Sequence, residues 1–174
     1  MIRLLLFLSG FALSQSSLID YNHPYHPTYT DAGIVVSQNY LSSDIGVEIL
    51  DKGGNAVDAA IAVGFSLTAT LPRAGNIGGG GFMQVYIAEK KTILTIDFRS
   101  MAPELATREF YQNAIADDDD VTRKGFKAIA VPGTVAGLFK AHELYGSLPM
   151  EKLIQPTIDL LERGIPITQD LYLA

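Results

Sequence analysis

The segment from Ala56 to Thr70 constrains the fold of this 174-residue chain more than any other. Drawn as a helix, it carries apolar residues on every side and leaves almost no polar face. A helix that is apolar all round is buried, and its small residues permit close contact with a sheet. Asn55 opens this helix, Asp58 lies in its first turn, and Pro72 ends it. The sequence therefore predicts a buried helix packed closely on a sheet.

Composition and charge exclude several classes of protein. Apolar residues make up 48% of the chain and charged residues 18%, which is typical of a folded domain and not of a disordered chain. The formal net charge is −6 and no basic tract is present, so we expect no nucleic-acid partner. The sequence has no cysteine, which excludes disulfides, thiolate metal sites and a cysteine nucleophile. We expect neither a metal nor a cofactor.

The first 16 residues have the organisation of a secretory signal peptide. Arg3 forms a basic tip, Leu4 to Leu13 is an apolar run, and small residues spaced two apart follow. The run is about ten residues long, whereas a permanent transmembrane helix needs about 20. We therefore expect residues 1–16 to be removed, the protein to be periplasmic or secreted, and no permanent membrane anchor to remain. The alternative interpretation is a buried N-terminal helix.

Residues 17–32 are predicted to form an extended lead-in segment on the surface. Pro24 and Pro27 forbid a helix and bias the residues before them towards extended geometry. Those residues, His23 and His26, suggest a metal site. Two imidazoles in an extended linker nevertheless lack the further ligands that a metal needs, so the surface segment is favoured.

Hydrophobic patterns place strands and helices in the next part of the chain. Gly33–Ser37 is a short β-branched run and is predicted to be a buried strand. Leu41–Lys52 has apolar residues at helical spacing and ends at Gly53. Phe82–Ala88 and Thr92–Arg99 are predicted to pair as a β-hairpin through a three-residue polar connector.

Three helices are predicted after the hairpin. They run from Glu104 to Asn113, from Thr134 to Tyr145, and from about Gln155 or Pro156 to Arg163. His142 lies on the apolar stripe of the second of these helices, so it is interpreted as a packing residue and not as a catalyst.

Asp117–Asp120 is a run of consecutive aspartates between two of these helices. An acidic run suggests calcium, but a calcium loop interleaves its carboxylates with other residues and needs a glycine for its turn. This uninterrupted block is therefore predicted to be a solvated loop.

The second strand of the hairpin alternates cleanly and ends in an arginine. Leu94, Ile96 and Phe98 share one face, and the residues between them share the other with Arg99. Burial of the first face leaves a polar row that ends at Arg99, before Pro103 breaks the strand. Binding groups are commonly placed at such positions, so Arg99 is a candidate binding residue.

The stretch Gly75–Phe82 is unusually rich in glycine. A phosphate cradle is one interpretation, because backbone amides in glycine turns bind anions. The order of elements argues against it, since a dinucleotide fingerprint runs from strand to glycine loop to helix, and here the helix comes first. The favoured interpretation is a tight crossover in which side chains would clash with neighbouring backbone.

Five stretches of the sequence together carry a family resemblance. They are Gly33–Ser37, Gly53–Ala60, Gly75–Phe82, Asp97–Pro103 and Val131–Leu138. In these stretches and their order, the chain resembles the γ-glutamyltranspeptidase family, specifically the start of its large subunit. The resemblance assigns residues 33–174 to an incomplete domain of this kind. It implies an α/β fold, the N-terminal portion of an N-terminal-nucleophile hydrolase αββα sandwich.

The resemblance also implies a chemistry. A precursor cuts itself, and the exposed threonine is the nucleophile and uses its own amine as base. It attacks the γ-glutamyl amide of glutathione or a similar compound, and water or an acceptor amino acid or peptide resolves the acyl-enzyme. This threonine belongs to the small subunit of the same precursor, downstream of this chain, so no catalytic residue is expected here. Thr134 is interpreted as a helix-start residue.

One functional position is implied within this chain. Arg99 matches the family arginine that holds the α-carboxylate of the γ-glutamyl group, and a guanidinium presents two parallel N–H groups to a carboxylate. Ser100 follows it where glutamate is common in bacterial relatives, a difference that concerns finer substrate preference. The alternative structural role for Arg99 is an ion pair with Asp97 along one strand face.

Two other functions stay open at this stage. The first is a cephalosporin-type amide acylase of the same superfamily, which the polar strand face at Arg99 disfavours. The second is a non-catalytic remnant or amino-acid-binding module. A self-cleavage threonine encoded downstream of this chain would separate the enzymes from the remnant.

Overall fold

The computed structural model describes residues 29–173. The predicted signal peptide, the two lead-in histidines and most of residues 17–32 lie outside the described residues. The elements below all belong to the unit formed by residues 32–174. In chain order they are α1 (Tyr40–Asp51), α2 (Ala56–Thr70), β1 (Phe82–Ile87), β2 (Thr92–Asp97), α3 (Arg108–Asp117), α4 (Thr134–Tyr145), α5 (Met150–Arg163) and α6 (Gln169–Leu173), with a 3₁₀ turn at Phe126–Ala128 before α4.

Helix α2 is the centre of the core. Helices α1, α4 and α5 all pack on it, and Ile61 and Ala62 are fully buried. Val85 of β1 belongs to the same buried cluster, but α1, α4 and α5 make the main contacts of α2, so the predicted close packing on a sheet is not found among the described residues. The helix is not buried all round: Ala56 and Ala60 are exposed and line a groove of about 560 Å³.

The start of α2 is held by a reciprocal pair of side-chain hydrogen bonds. Asn55 Oδ1 accepts from the backbone N–H groups of Val57 and Asp58 at 2.8 and 3.0 Å. Asp58 Oδ2 accepts in return from the backbone N–H of Asn55 at 2.9 Å. This capping box satisfies N–H groups that have no partner within the helix. Asn55 Nδ2 also donates to the carbonyl of Tyr145 at 2.7 Å, which connects this cap to the end of α4.

Asp58 is buried and connects α2 to the loop before α5. Its carboxylate accepts hydrogen bonds from the backbone N–H of Ser147 at 3.0 Å and from the Ser147 hydroxyl. The backbone N–H of Leu148 lies 3.5 Å from the same carboxylate. Burial alone would raise the pKa of Asp58, but these hydrogen bonds and the one from Asn55 outweigh it and lower the pKa below its usual 3.8.

Strands β1 and β2 form the predicted hairpin. They are antiparallel, with Phe82 opposite Asp97 and Ile87 opposite Thr92. The regular ladder ends at Asp97, two residues before the predicted end at Arg99. The predicted alternation is confirmed only in part: Ile96 and Phe98 are partly buried and Asp97 is exposed, but Leu94, predicted on the buried face, is exposed.

The predicted strand at Gly33–Ser37 is wrong, because these residues form no strand. A strand is defined by hydrogen bonds to a neighbouring strand, and the sheet in the described part of the chain contains β1 and β2 alone. Val35 packs against the core cluster, whereas Ile34 and Val36 remain exposed. The β-branched run therefore marks one partly buried side chain and not a complete strand.

Helix α1 begins at Tyr40, one residue before the predicted Leu41, and two other helices begin several residues away from their predicted starts. Helix α3 starts at Arg108, where the Thr107 side chain accepts from the backbone N–H of Phe110 and caps the helix. Helix α5 starts at Met150 and continues through Pro156, which the sequence favoured as its start. Burial against α2 stabilises this proline in a helix interior, since Leu153, Pro156, Thr157 and Leu160 form one buried face.

The remaining predictions for the C-terminal half are confirmed. Helix α4 has the predicted bounds, and His142 Nε2 donates to the carbonyl of Leu148 at 2.7 Å as a packing residue. The aspartates form the end of α3 and an exposed turn, in which Asp120 pairs with Arg123 and Lys124. Helix α6 was not anticipated. Among residues 29–173, no helix is long and apolar enough to cross a membrane.

Candidate functional site

Arg99 lies where the chain changes its hydrogen-bonding partner. Before it, Phe98 and Gly81 exchange backbone hydrogen bonds of 3.0 and 3.3 Å, which extends the hairpin by one pair. After it, Met101 and Val131 exchange backbone hydrogen bonds of 3.1 and 2.8 Å as an isolated antiparallel bridge. The backbone of Arg99 is therefore held on both sides, by two different segments of the chain.

The side chain of Arg99 is exposed and has no acidic partner among the described residues. Its Nη1 donates to Ser100 Oγ at 3.1 Å. Asp97 Oδ1 instead accepts from the backbone N–H of Arg99 at 2.9 Å. The ion pair between Arg99 and Asp97, the alternative role considered from the sequence, is not formed. The guanidinium keeps free N–H groups with which it can bind an anion.

The glycine-rich stretch is a tight crossover, as predicted. A Cβ atom on Gly80 would lie 2.3 Å from the backbone nitrogen of Ser100. Real Cβ atoms essentially never approach other atoms within 3.0 Å, so only glycine fits without movement. The backbone of this stretch therefore packs directly on the backbone that carries Arg99.

The start of α4 completes the surroundings of Arg99. The backbone N–H groups of Gly133 and Thr134 donate to the carbonyl of Gly79 at 2.8 and 3.1 Å. Thr134 is the first residue of α4, which confirms its interpretation as a helix-start residue. Gly137 lies against the ring of Phe98, where a Cβ would come within 2.1 Å of the side chain. Two segments distant in sequence, residues 79–81 and residues 131–137, thus converge on the end of β2.

The sequence analysis found Arg99 but missed what holds it. The convergence depends on the bridge between Met101 and Val131, which are 30 positions apart in the printed numbering. The run Ile129–Val131 before Pro132 has the β-branched ends of a short extended segment, and this was the available signal. Its partner could not be deduced from spacing. Within residues 29–173 no cluster of three or more His, Asp or Glu side chains could hold a metal ion.

Solved structures define the class of fold. The γ-glutamyltranspeptidase of Helicobacter pylori superposes with a TM-score of 0.76 at 39% identity, over 84% of this chain and 42% of that chain. A cephalosporin acylase from Bacillus halodurans superposes with a TM-score of 0.70 at 28% identity, over 89% of this chain and 29% of that chain. The predicted fold class is confirmed: the chain is α/β and forms part of an N-terminal-nucleophile hydrolase αββα fold.

Sequence comparison then defines the family. The model of the family Gamma-glutamyltranspeptidase matches residues 42–174. A glutathione hydrolase proenzyme from Pseudomonas sp. (strain A14) is 43% identical over 148 residues, which cover 82% of this chain and 25% of that protein. The chain belongs to the γ-glutamyltranspeptidase family. It spans about a quarter of the length of the proenzymes that it matches.

Proposed function

We propose that this chain is the N-terminal segment of an exported γ-glutamyl transferase and hydrolase, in which Arg99 binds the α-carboxylate of the γ-glutamyl group. The observation that carries the proposal is the state of Arg99. Its guanidinium is exposed, no carboxylate of the described residues pairs with it, and its backbone is held on both sides. A cation in this state is available to a ligand, and its backbone has little freedom to lose when the ligand binds.

The guanidinium of Arg99 suits a carboxylate better than an ammonium group would. A guanidinium donates two parallel hydrogen bonds to a carboxylate, which sets the orientation of the glutamyl group as well as its affinity. Ser100 Oγ occupies one N–H of Nη1 and so restrains the rotation of the guanidinium. The γ-amide of a glutamyl group held in this way lies at the other end of the glutamyl side chain from Arg99.

The remaining chemistry belongs to the rest of the precursor in this proposal. A threonine downstream of residue 174, exposed by self-cleavage, attacks the γ-glutamyl carbonyl and uses its own amine as base. The cysteinylglycine of glutathione, or another amine, leaves, and water or an acceptor amino acid or peptide takes up the glutamyl group. The matched proteins named glutathione hydrolase proenzyme, and their fourfold greater length, support this division between two subunits.

Substitution of Arg99 in the complete precursor tests the site. Arg99→Lys keeps the charge but loses the second parallel bond, so we expect kcat/KM for a γ-glutamyl anilide to fall about ten- to hundredfold, mainly through KM, as about 1.5–3 kcal/mol of charged hydrogen bonding is lost. Arg108→Ala, at an exposed arginine, is the control and should leave the kinetics unchanged. Unchanged kinetics of Arg99→Lys would exclude Arg99 from the binding site.

An amide acylase is the second candidate, favoured by the structural similarity to a cephalosporin acylase. The chain is 43% identical to a glutathione hydrolase proenzyme and 37% identical to the acylase ACY 1 proenzyme of Pseudomonas sp. (strain SE83), which supports the γ-glutamyl activity instead. Hydrolysis assays of the complete protein with a γ-glutamyl amide and with an amide that has an uncharged acyl chain distinguish the two activities. Hydrolysis of the second alone would establish an acylase, and cleavage of neither would support the non-catalytic binding module.

Export is a separate part of the proposal. It is supported by the basic tip, short apolar run and small residues of positions 1–16. N-terminal sequencing of the protein recovered from cells should begin close to residue 17, and fractionation should place it outside the cytoplasm. Recovery of an intact Met1 in a cytoplasmic fraction would favour the buried N-terminal helix.

A further inference from the structure

Two neighbouring glycines, Gly79 and Gly80, differ in what surrounds them. A Cβ atom on Gly80 would lie 2.3 Å from the nitrogen of Ser100, 2.6 Å from the carbonyl oxygen of Phe98 and 2.8 Å from the carbonyl carbon of Arg99. All three are backbone atoms, so no side-chain rotation relieves the overlap. A Cβ atom on Gly79 would meet its nearest neighbour at 3.7 Å, which is ordinary van der Waals contact.

Backbone conformation does not distinguish the two glycines. Neither has a φ angle in the left-handed region, which among the described glycines is confined to Gly53, Gly125 and Gly164. Alanine is therefore compatible with the backbone at both positions. The substitutions Gly79→Ala and Gly80→Ala differ only in the steric contact that the new methyl group makes.

An overlap at Gly80 acts on the peptide groups on either side of Arg99. Full relief of a 2.3 Å contact requires a movement of more than about 1 Å, because carbon atoms rest at about 3.5–4.0 Å from their neighbours. The flanking residues Phe98 and Met101 are hydrogen-bonded to Gly81 and Val131. The displacement therefore falls on the segment that carries the guanidinium and the Ser100 hydroxyl that restrains it.

We propose that Gly80 is a positioning residue that sets the direction of the Arg99 side chain by allowing backbone contact at this point. The inference rests on the proposed function, in which Arg99 binds the α-carboxylate of the γ-glutamyl group. An error of about 1 Å in the position of a binding group is enough to lose most of a two-bond contact. The carboxylate is held in the ground state and the transition state alike, so the loss appears in KM and not in kcat.

The test compares Gly80→Ala with Gly79→Ala in the complete protein, using a γ-glutamyl anilide and the 4-aminobutanoyl anilide, which lacks the α-carboxylate. We expect Gly80→Ala to raise KM for the first substrate about tenfold, with kcat within about twofold and the second substrate unaffected. Gly79→Ala should change neither substrate. Equal losses on both substrates, or equal effects of the two variants, would overturn the proposal.

A second variant guards against a failure of folding. Gly133→Ala presses on the same segment from another loop, since its Cβ would lie 2.0 Å from the carbonyl oxygen of Phe98. The same selective rise in KM is expected from it. Failure of both Gly80→Ala and Gly133→Ala to yield folded protein, with Gly79→Ala folded, would assign these glycines to stability alone and overturn the proposal.

Combination with Arg99→Ala separates the two hypotheses. If Gly80 acts through Arg99, Gly80→Ala adds nothing to KM in the Arg99→Ala background. Additive effects would show that Gly80 acts elsewhere. An unaltered KM in Arg99→Ala itself contradicts the proposed function, whereas a raised KM in Arg99→Ala together with a normal KM in Gly80→Ala contradicts this inference only.

Discussion

The start of α2 and the end of β2 each carry a charged side chain, and they treat it in opposite ways. Asp58 is buried and accepts hydrogen bonds from Asn55 and Ser147, so its charge is satisfied within the protein. Arg99 is exposed, and its guanidinium is bonded only to the Ser100 hydroxyl among the described residues. The comparison indicates which charge stabilises the fold and which is available to a ligand.

The largest expected effect is on stability and belongs to Asp58. Asp58→Ala removes a buried carboxylate that accepts from the N–H groups of Asn55 and Ser147, so the free energy of unfolding should fall by about 2–3 kcal/mol. Urea unfolding of the variant measures this change. Asp119→Ala, in the exposed turn after α3, is the matched control and should change the value by less than about 0.5 kcal/mol. A loss from Asp58→Ala no larger than that of the control would show that the charge of Asp58 does not stabilise the fold.

The pH dependence of stability gives the next effect. The pKa of Asp58 is lower in the folded protein than its usual 3.8, so the folded state binds this proton less readily than the unfolded state does. Its contribution is complete above the usual pKa and is lost as the pH falls through the lowered folded value. The free energy of unfolding should therefore decrease below about pH 4. Asp58→Asn should flatten this decrease, and an unchanged pH profile would show that another carboxylate causes it.

Removal of the Ser100 hydroxyl tests whether this hydroxyl orients Arg99 for ligand binding. Ser100→Ala frees Nη1 of Arg99 from its restraint while the guanidinium remains. Loss of one exposed hydrogen bond of about 0.5–1 kcal/mol predicts a rise in KM of about two- to fivefold, with kcat unchanged. Steady-state kinetics of the complete protein measure it, with Ser147→Ala as a variant that should affect stability and not KM. A KM equal to that of the unsubstituted protein would mean that Ser100 does not orient Arg99.

The smallest expected effect is on the stability of an Arg99 variant. Arg99→Ala removes an exposed side chain without an ion pair to any described residue, so its free energy of unfolding should stay within about 0.5 kcal/mol of the starting value. The same urea experiment measures it. A loss above about 1 kcal/mol would show that Arg99 is a structural residue like Asp58.

The parts of the fold that the sequence predicted are those with local causes. The bounds of α2 follow from Asn55 at its start and its apolar content, and the hairpin follows from alternation and a polar connector. Arg99 was found because it comes at the end of an alternating strand in a stretch that resembles a known family. Each of these signals comes from residues within about a dozen positions of one another in the sequence.

The parts that failed have causes distant in sequence. Gly33–Ser37 has the composition of a strand, but strand formation depends on a partner that composition does not supply. Pro156 was expected to start a helix, and burial of its face against α2 places it inside one. The bridge from Met101 to Val131 and the contact of Gly80 with Ser100 both join segments that only the folded chain brings together.

Asn55 makes two helices mechanically dependent on each other. One end of its amide caps α2, and the other end holds the last carbonyl of α4, at Tyr145. Helix α4 has 12 residues, a stiff rod of about 18 Å, and its opposite end rests through Gly137 on the ring of Phe98. A tilt of α4 that strips the amide from Tyr145 would thus also shift the residue next to Arg99. Asn55 thus restrains, through α4, the position of the backbone next to Arg99.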